Sequence, residues 1–118
     1  MNEVKELKNL TTLSIGGGQV TDEGLKGLKE LKNLTTLNLY VPLMTDEGMK
    51  ELKELKNLAT LDILSLTVTD RGLKDLKELK NLKSLTLRLF ATDAGIKEVQ
   101  DALPNCKINF IKLKPFKP

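Results

Sequence analysis

Four aspartates, Asp22, Asp46, Asp70 and Asp93, recur at one position of a repeating segment. A column of carboxylates is what a divalent cation would need, because hard cations take oxygen ligands. Each aspartate follows a threonine, however, in Thr21-Asp22, Thr45-Asp46, Thr69-Asp70 and Thr92-Asp93. That pair fits the start of a helix, where the hydroxyl caps a backbone N–H and the carboxylate meets the positive end of the dipole. Gly16-Gly17-Gly18 precedes a helical segment but lacks the spaced glycines and the Lys-Ser/Thr pair of a phosphate loop. Cys106 is the single cysteine and the chain has no histidine. The commonest general base and metal ligand is therefore missing, and the thiol has no imidazole to activate it. The expectation is a non-enzymatic chain, with no catalytic residue, no metal and no cofactor.

What remains is recognition, and the positions that carry it follow from the elements that hold them. Thr21-Asp22-Glu23-Gly24-Leu25 returns as Thr45-Asp46-Glu47-Gly48-Met49 and as Thr69-Asp70-Arg71-Gly72-Leu73, each 24 residues on. Thr92-Asp93-Ala94-Gly95-Ile96 is a fourth copy, one residue early. A period of this length marks a repeat architecture, in which no unit buries its apolar face alone and neighbours must stack.

Within a unit the spacing of apolar residues changes. Leu25, Leu28 and Leu31 recur every three residues, which predicts a helical face. Val4 and Leu7 extend two of these columns toward the N-terminus. Leu37 and Leu39 alternate with Thr36, Asn38 and Tyr40, which predicts a strand. Each unit therefore reads strand, loop, helix and return. Lys32-Asn33, Lys56-Asn57 and Lys80-Asn81 are expected to close the helices, since Asn tolerates the left-handed conformation found at helix ends. A coiled coil is excluded, because the strands and the Gly- and Pro-containing loops interrupt any heptad.

Leu10-x-x-Leu13-x-Ile15, Leu34-x-x-Leu37-x-Leu39, Leu58-x-x-Leu61-x-Ile63 and Leu82-x-x-Leu85-x-Leu87 resemble the core segment of leucine-rich repeats. The Val-Thr-Asp-x-Gly-Leu continuation is similar to a helical subclass in bacterial and cysteine-containing repeat proteins. Ala102-Leu103-Pro104-Asn105-Cys106-Lys107-Ile108 resembles the closing half-repeat of such arrays. The resemblance implies an α/β, right-handed solenoid with a parallel concave sheet of about five short strands and four convex helices. It also implies protein or ligand binding through the concave sheet or its rim. One column departs from the pattern: Gly18, Pro42, Leu66 and Phe90 stand where such repeats place Asn, Cys or Thr to bond backbone along the turn. Leu66 and Phe90 then have two readings, an exposed patch or inward packing in place of the missing ladder.

Residues 1–110 are expected to form the solenoid, with a partial repeat at 1–10, a closing half-repeat at 96–110 and a tail at 111–118. Alternation places Asn38, Tyr40, Asp62, Leu64, Thr86 and Arg88 on the sheet surface away from the core. Val41, Leu43, Leu89 and Phe90 join them from the strand-exit loops. This set is the expected contact surface for a protein partner. Lys and Arg total 19 against 16 acids, a net charge of +3, which argues for no nucleic-acid partner. The lysine columns stand beside Glu30, Glu54 and Glu78, with Lys26-Glu30 and Lys50-Glu54 spaced as helix ion pairs. No apolar run is long enough for a membrane span, and residues 1–20 lack the apolar core of a secretory signal. The chain reads as cytoplasmic, or as an excised or engineered module. A self-associating structural scaffold is the alternative function, because the array ends and the apolar rim also fit homo-oligomers.

Overall fold

The structure, a computed structural model, describes residues 9–114; Val4, Leu7 and most of the partial repeat 1–10 lie outside them, as do the last four tail residues. Five strands, β1 (Thr12–Gly16), β2 (Thr36–Tyr40), β3 (Thr60–Leu64), β4 (Ser84–Leu89) and β5 (Lys107–Lys112), pair in chain order into one parallel sheet. The register carries the repeat directly: Thr12 stands beside Thr36, Thr36 beside Thr60, Thr60 beside Ser84 and Ser84 beside Lys107. Between strands lie four helices, α1 (Asp22–Leu25), α2 (Asp46–Met49), α3 (Asp70–Leu73) and α4 (Asp93–Ala102). Strand and helix alternate throughout, so the chain is an α/β solenoid.

The first three helices are shorter than a helical face over three leucines suggests. Each has one α-helical turn of four residues, after which the chain tightens. Leu52 N–H donates to Met49, Leu55 to Leu52 and Leu58 to Leu55, at 2.9–3.1 Å. A strict spacing of three is the period of the 3₁₀ helix, whose bonds span three residues, and it differs from the α-helical 3.6. In the first unit Gly27 makes the break, at φ 101°, a conformation that favours glycine. Only α4 continues as an α-helix of ten residues. The short turns also cancel the expected ion pairs: Lys26 and Lys50 reach back to Glu23 and Glu47, while Glu54 pairs with Lys32 of the preceding unit.

Apolar side chains from both layers meet between sheet and turns. Leu25, Met49 and Leu73, Leu28, Leu52 and Leu76, and Leu37, Leu61 and Leu85 are fully buried columns. At the first strand Leu13 and Ile15 are only partly buried, as are Ile108 and Phe110 at the last. The tail does not begin at residue 111 as a separate segment. Ile111 and Lys112 pair with Arg88 and Leu89, and Leu113 N–H donates to Leu89 at 3.1 Å.

Polar ladders tie the units together. Thr21, Thr45, Thr69 and Thr92 hold the helix N-cap positions, and the hydroxyls of Thr45, Thr69 and Thr92 accept from Glu47, Arg71 and Gly95 N–H as expected, whereas the Thr21 side chain makes no capping bond. The aspartates do more than face the dipole. Asp46 accepts from Thr69 N–H and Thr69 Oγ1, both at 2.7 Å, and from Gly72 N–H at 3.1 Å. Asp22 accepts in the same way from Thr45, and Asp70 from Thr92. Each carboxylate thus holds the helix start of the next unit. The asparagines form a second ladder in place of left-handed caps. Among the described residues no non-glycine has positive φ, and Asn57 and Asn81 donate to the Lys32 and Lys56 carbonyls at 3.0 and 2.8 Å.

Candidate functional site

The strand alternation continues one residue beyond β2 and β3, and through the end of β4. Val41, Ser65 and Leu89 point inward and are fully buried. Val41 and Leu89 therefore leave the expected contact set: their side chains fill the space beneath the strand exits. Ser65 occupies the same register as the one buried polar side chain among the described residues. Its hydroxyl donates to the Met44 carbonyl at 2.7 Å and accepts from Thr67 and Val68 N–H at 3.2 and 3.1 Å. Thr67 Oγ1 donates to the same carbonyl at 2.6 Å. Backbone that an Asn ladder would have satisfied is served here by Ser65 and Thr67.

With the inward places filled, the next residues of the loops turn out. Leu66 is 52% exposed, Leu43 46%, Ile111 41%, Tyr40 40% and Phe90 38%. Inward packing of Leu66 and Phe90 is thereby ruled out. These are all the exposed large apolar side chains among the described residues, and all lie at strand exits. Register lines them up: Tyr40, Leu64, Arg88 and Ile111 form one row across β2 to β5. Beyond it, Leu66 N–H bonds the Pro42 carbonyl at 3.1 Å, so the Pro42 and Leu66 loops run side by side. Strands about 4.8 Å apart give this apolar rim a step of that size.

Beside the rim, three of the expected residues come together. Tyr40 Oη donates to Asp62 Oδ2 at 2.8 Å, and Arg88 Nη1 pairs with Asp62 Oδ1 at 2.8 Å. Both reach diagonally, from one row to the neighbouring row that holds Asn38, Asp62 and Thr86. Asp62 is thus braced from both sides. Its hydrogen bond, with smaller contributions from burial and charge, raises the Tyr40 hydroxyl above its ordinary value, while Arg88 pulls the other way. Asn38 belongs to a different pair, donating to Ser14 at 3.0 Å. Leu64 and Thr86 are half-buried in the same sheet surface. The sequence left Leu66 open between exposure and inward packing, and it did not reveal that Tyr40, Asp62 and Arg88 bond one another. The residue types were the only signal for the network, since a diagonal reach depends on side-chain length across three strands.

The other candidate chemistries find no support in the geometry. Asp22, Asp46 and Asp70 spend their oxygens on the next unit's threonine. No cluster of metal-ligating side chains occurs among the described residues. Cys106 is buried, and burial pushes its thiol up, away from the reactive thiolate.

A parallel sheet built one strand per unit, with a helical turn closing each unit on its far side, makes an α/β repeat solenoid, the fold that the leucine-rich-repeat resemblance implies. No protein-family model matches the chain, and no curated protein does. Among solved structures, a leucine-rich-repeat protein of Leptospira interrogans is similar over 92% of this chain, with 22% identity and a TM-score of 0.41. This chain spans 39% of that protein's length. The architecture rests on strand order and register rather than on that likeness. No helix among the described residues is long and apolar enough to cross a membrane.

Proposed function

We propose that the chain is a non-enzymatic protein-binding module whose contact surface is the strand-exit rim with the adjoining outer sheet face. The carrying observation is the gathering of every exposed large apolar side chain of the described residues at one rim. Apolar groups collected in this way mark interfaces, whereas scattered ones do not. The neighbouring Tyr40–Asp62–Arg88 network supplies the polar part, from residue types enriched at binding hot spots. Asn38, Leu43, Leu64, Thr86 and Phe90 complete the surface.

The test is capture of proteins from a lysate by immobilised wild type, by Tyr40→Ala/Arg88→Ala and by Leu66→Ser/Phe90→Ser. The reading requires proteins held by wild type and lost from both variants, with thermal midpoints nearly unchanged. An identical captured set on all three would refute it. Light scattering over a dilution series tests the other occupant of the rim, a second copy of the chain. A stable dimer dispersed by Leu66→Ser/Phe90→Ser would replace the foreign partner with self-association.

A further inference from the structure

The two ends of the sheet are held differently. Beyond β5, Leu113 N–H bonds the Leu89 carbonyl, and ahead of it Gln100 Nε2 donates to the Leu103 and Cys106 carbonyls. At the other end Leu13, Ile15 and Val20 are only partly buried, whereas Leu37, Leu39 and Met44 at the same places in the next unit are fully buried. The loop that leaves β1 is also bare. Gly16 stands in the row of Tyr40, Leu64 and Arg88, and Gly17 in the inward register of Val41, Ser65 and Leu89. The Pro42 and Leu66 loops are laced together by Leu66 N–H to the Pro42 carbonyl and by Ser65 and Thr67 to the Met44 carbonyl. Gly18 and Gln19 make no such bond to the Pro42 loop among the described residues.

Of the three glycines, only Gly17 answers a demand of the folded backbone, with φ 147°. A Cβ on Gly16 would meet Tyr40 at an ordinary 3.7 Å, and one on Gly18 would meet nothing within 4 Å. Glycine loses more conformational freedom on ordering than any other residue and weakens a strand. At 16 and 18 it therefore favours the open chain. The turn that follows is firmly docked, since Leu25, Leu28 and Leu31 are buried and Asp22 accepts from Thr45 N–H and Oγ1. Thr21, whose side chain makes no capping bond, lies between the two regions.

We propose that residues 11–20, β1 with its glycine loop, form a hinged strand that opens from the sheet about Thr21 while the first turn and the later units stay folded. Opening bares the Tyr40 carbonyl, which Gly17 N–H covers in the closed form, and releases Asn38 from Ser14. The outer sheet face then has two forms at this end, one closed by β1 and one in which the β2 backbone is open to an added strand.

Native-state amide hydrogen exchange tests this, because the same bonds recur from strand to strand. Thr36, Thr60 and Ser84 N–H donate to the Thr11, Thr35 and Ala59 carbonyls at 3.0, 3.0 and 3.1 Å. Gly17, Val41 and Ser65 N–H donate to the Tyr40, Leu64 and Arg88 carbonyls at 3.2, 3.0 and 3.2 Å. Thr36 and Gly17 are expected to exchange at least about a hundredfold faster than their counterparts, relative to intrinsic rates. Asp70→Ala, in the third unit, should speed Thr60 and Ser84 and leave Thr36 and Gly17 unchanged, since a local opening is independent of global stability. Gly16→Val/Gly18→Ala should slow Thr36 and Gly17 about fivefold. Equal protection across the strands, acceleration of Thr36 by Asp70→Ala, or no slowing in the glycine variant would each overturn the proposal. Equally fast exchange of Leu31 and Leu34 N–H, which bond within the first turn, would overturn it in favour of the whole first unit opening.

Discussion

Gly72 and Asp46 make the sharpest test of how the units are joined. A Cβ on Gly72 would stand 2.5 Å from Asp46 Oδ1 and 3.0 Å from Met49 Cγ. The carboxylate would have to move, giving up its bonds to Thr69 N–H, Thr69 Oγ1 and Gly72 N–H. Hydrogen bonds to a charged group contribute about 1.5–3 kcal/mol each when well shielded, and Asp46 is half-exposed. Asp46→Ala is therefore expected to cost about 3 kcal/mol in all. Gly72→Ala loses the same bonds but gains about 1 kcal/mol of helix propensity, for a net cost of about 2 kcal/mol. Once the carboxylate is gone the added methyl has little left to displace. The double variant keeps the propensity gain and should then cost about 2 kcal/mol, where independent effects would give about 5 kcal/mol, a coupling of about 3 kcal/mol. Urea unfolding followed by far-ultraviolet circular dichroism measures all four proteins, since the chain has no tryptophan for fluorescence. Additivity within about 0.5 kcal/mol would refute the claim that glycine is required because the neighbouring unit's aspartate fills its space.

Ser65→Ala is expected to cost about 2 kcal/mol, because it strips partners from buried backbone groups, whereas exposed Leu66→Ser should cost less than about 0.5 kcal/mol. Thermal or urea unfolding of the two single variants checks the contrast. Tyr40 is the single tyrosine, so an absorbance titration reads it alone. Asp62→Asn should lower its pKa toward the ordinary value, because the carboxylate's hydrogen bond is the first cause of the rise. A raised folded-state pKa favours the protonated phenol, so this contribution to stability is present below about pH 10 and is lost as pH climbs through the folded value. Replacing Lys32 or Lys56 by Gln should change stability by less than about 0.5 kcal/mol, as their pairs with Glu54 and Glu78 are solvent-exposed.

The periodic columns made the solenoid readable before any coordinates. Leu37 and Leu39 alternate because one sheet face is buried, and Leu25, Leu28 and Leu31 line up because one face of the turn is buried. The type of turn was legible too, had spacing of three been set against 3.6. What the sequence hid lies between units. Asp46 reaches Thr69 across 23 residues, and nothing local distinguishes that bond from a helix-dipole role. The placement of Val41 and Leu89 turned on whether alternation stops at the strand end or runs one residue on, which backbone pairing decides. Alternation puts Tyr40, Asp62 and Arg88 on the outer sheet face, but their mutual bonds depend on diagonal reach across the sheet.

The central claim is that the strand-exit rim is the binding surface, and the amide spectrum of the chain tests it most directly. An isotope-labelled sample titrated with a protein captured from the lysate should shift amides at Leu43, Leu66, Arg88, Phe90 and Ile111. Those of Lys29, Lys53 and Lys77 on the opposite layer should stay in place. Shifts confined to the helical layer or to β1 would contradict the account.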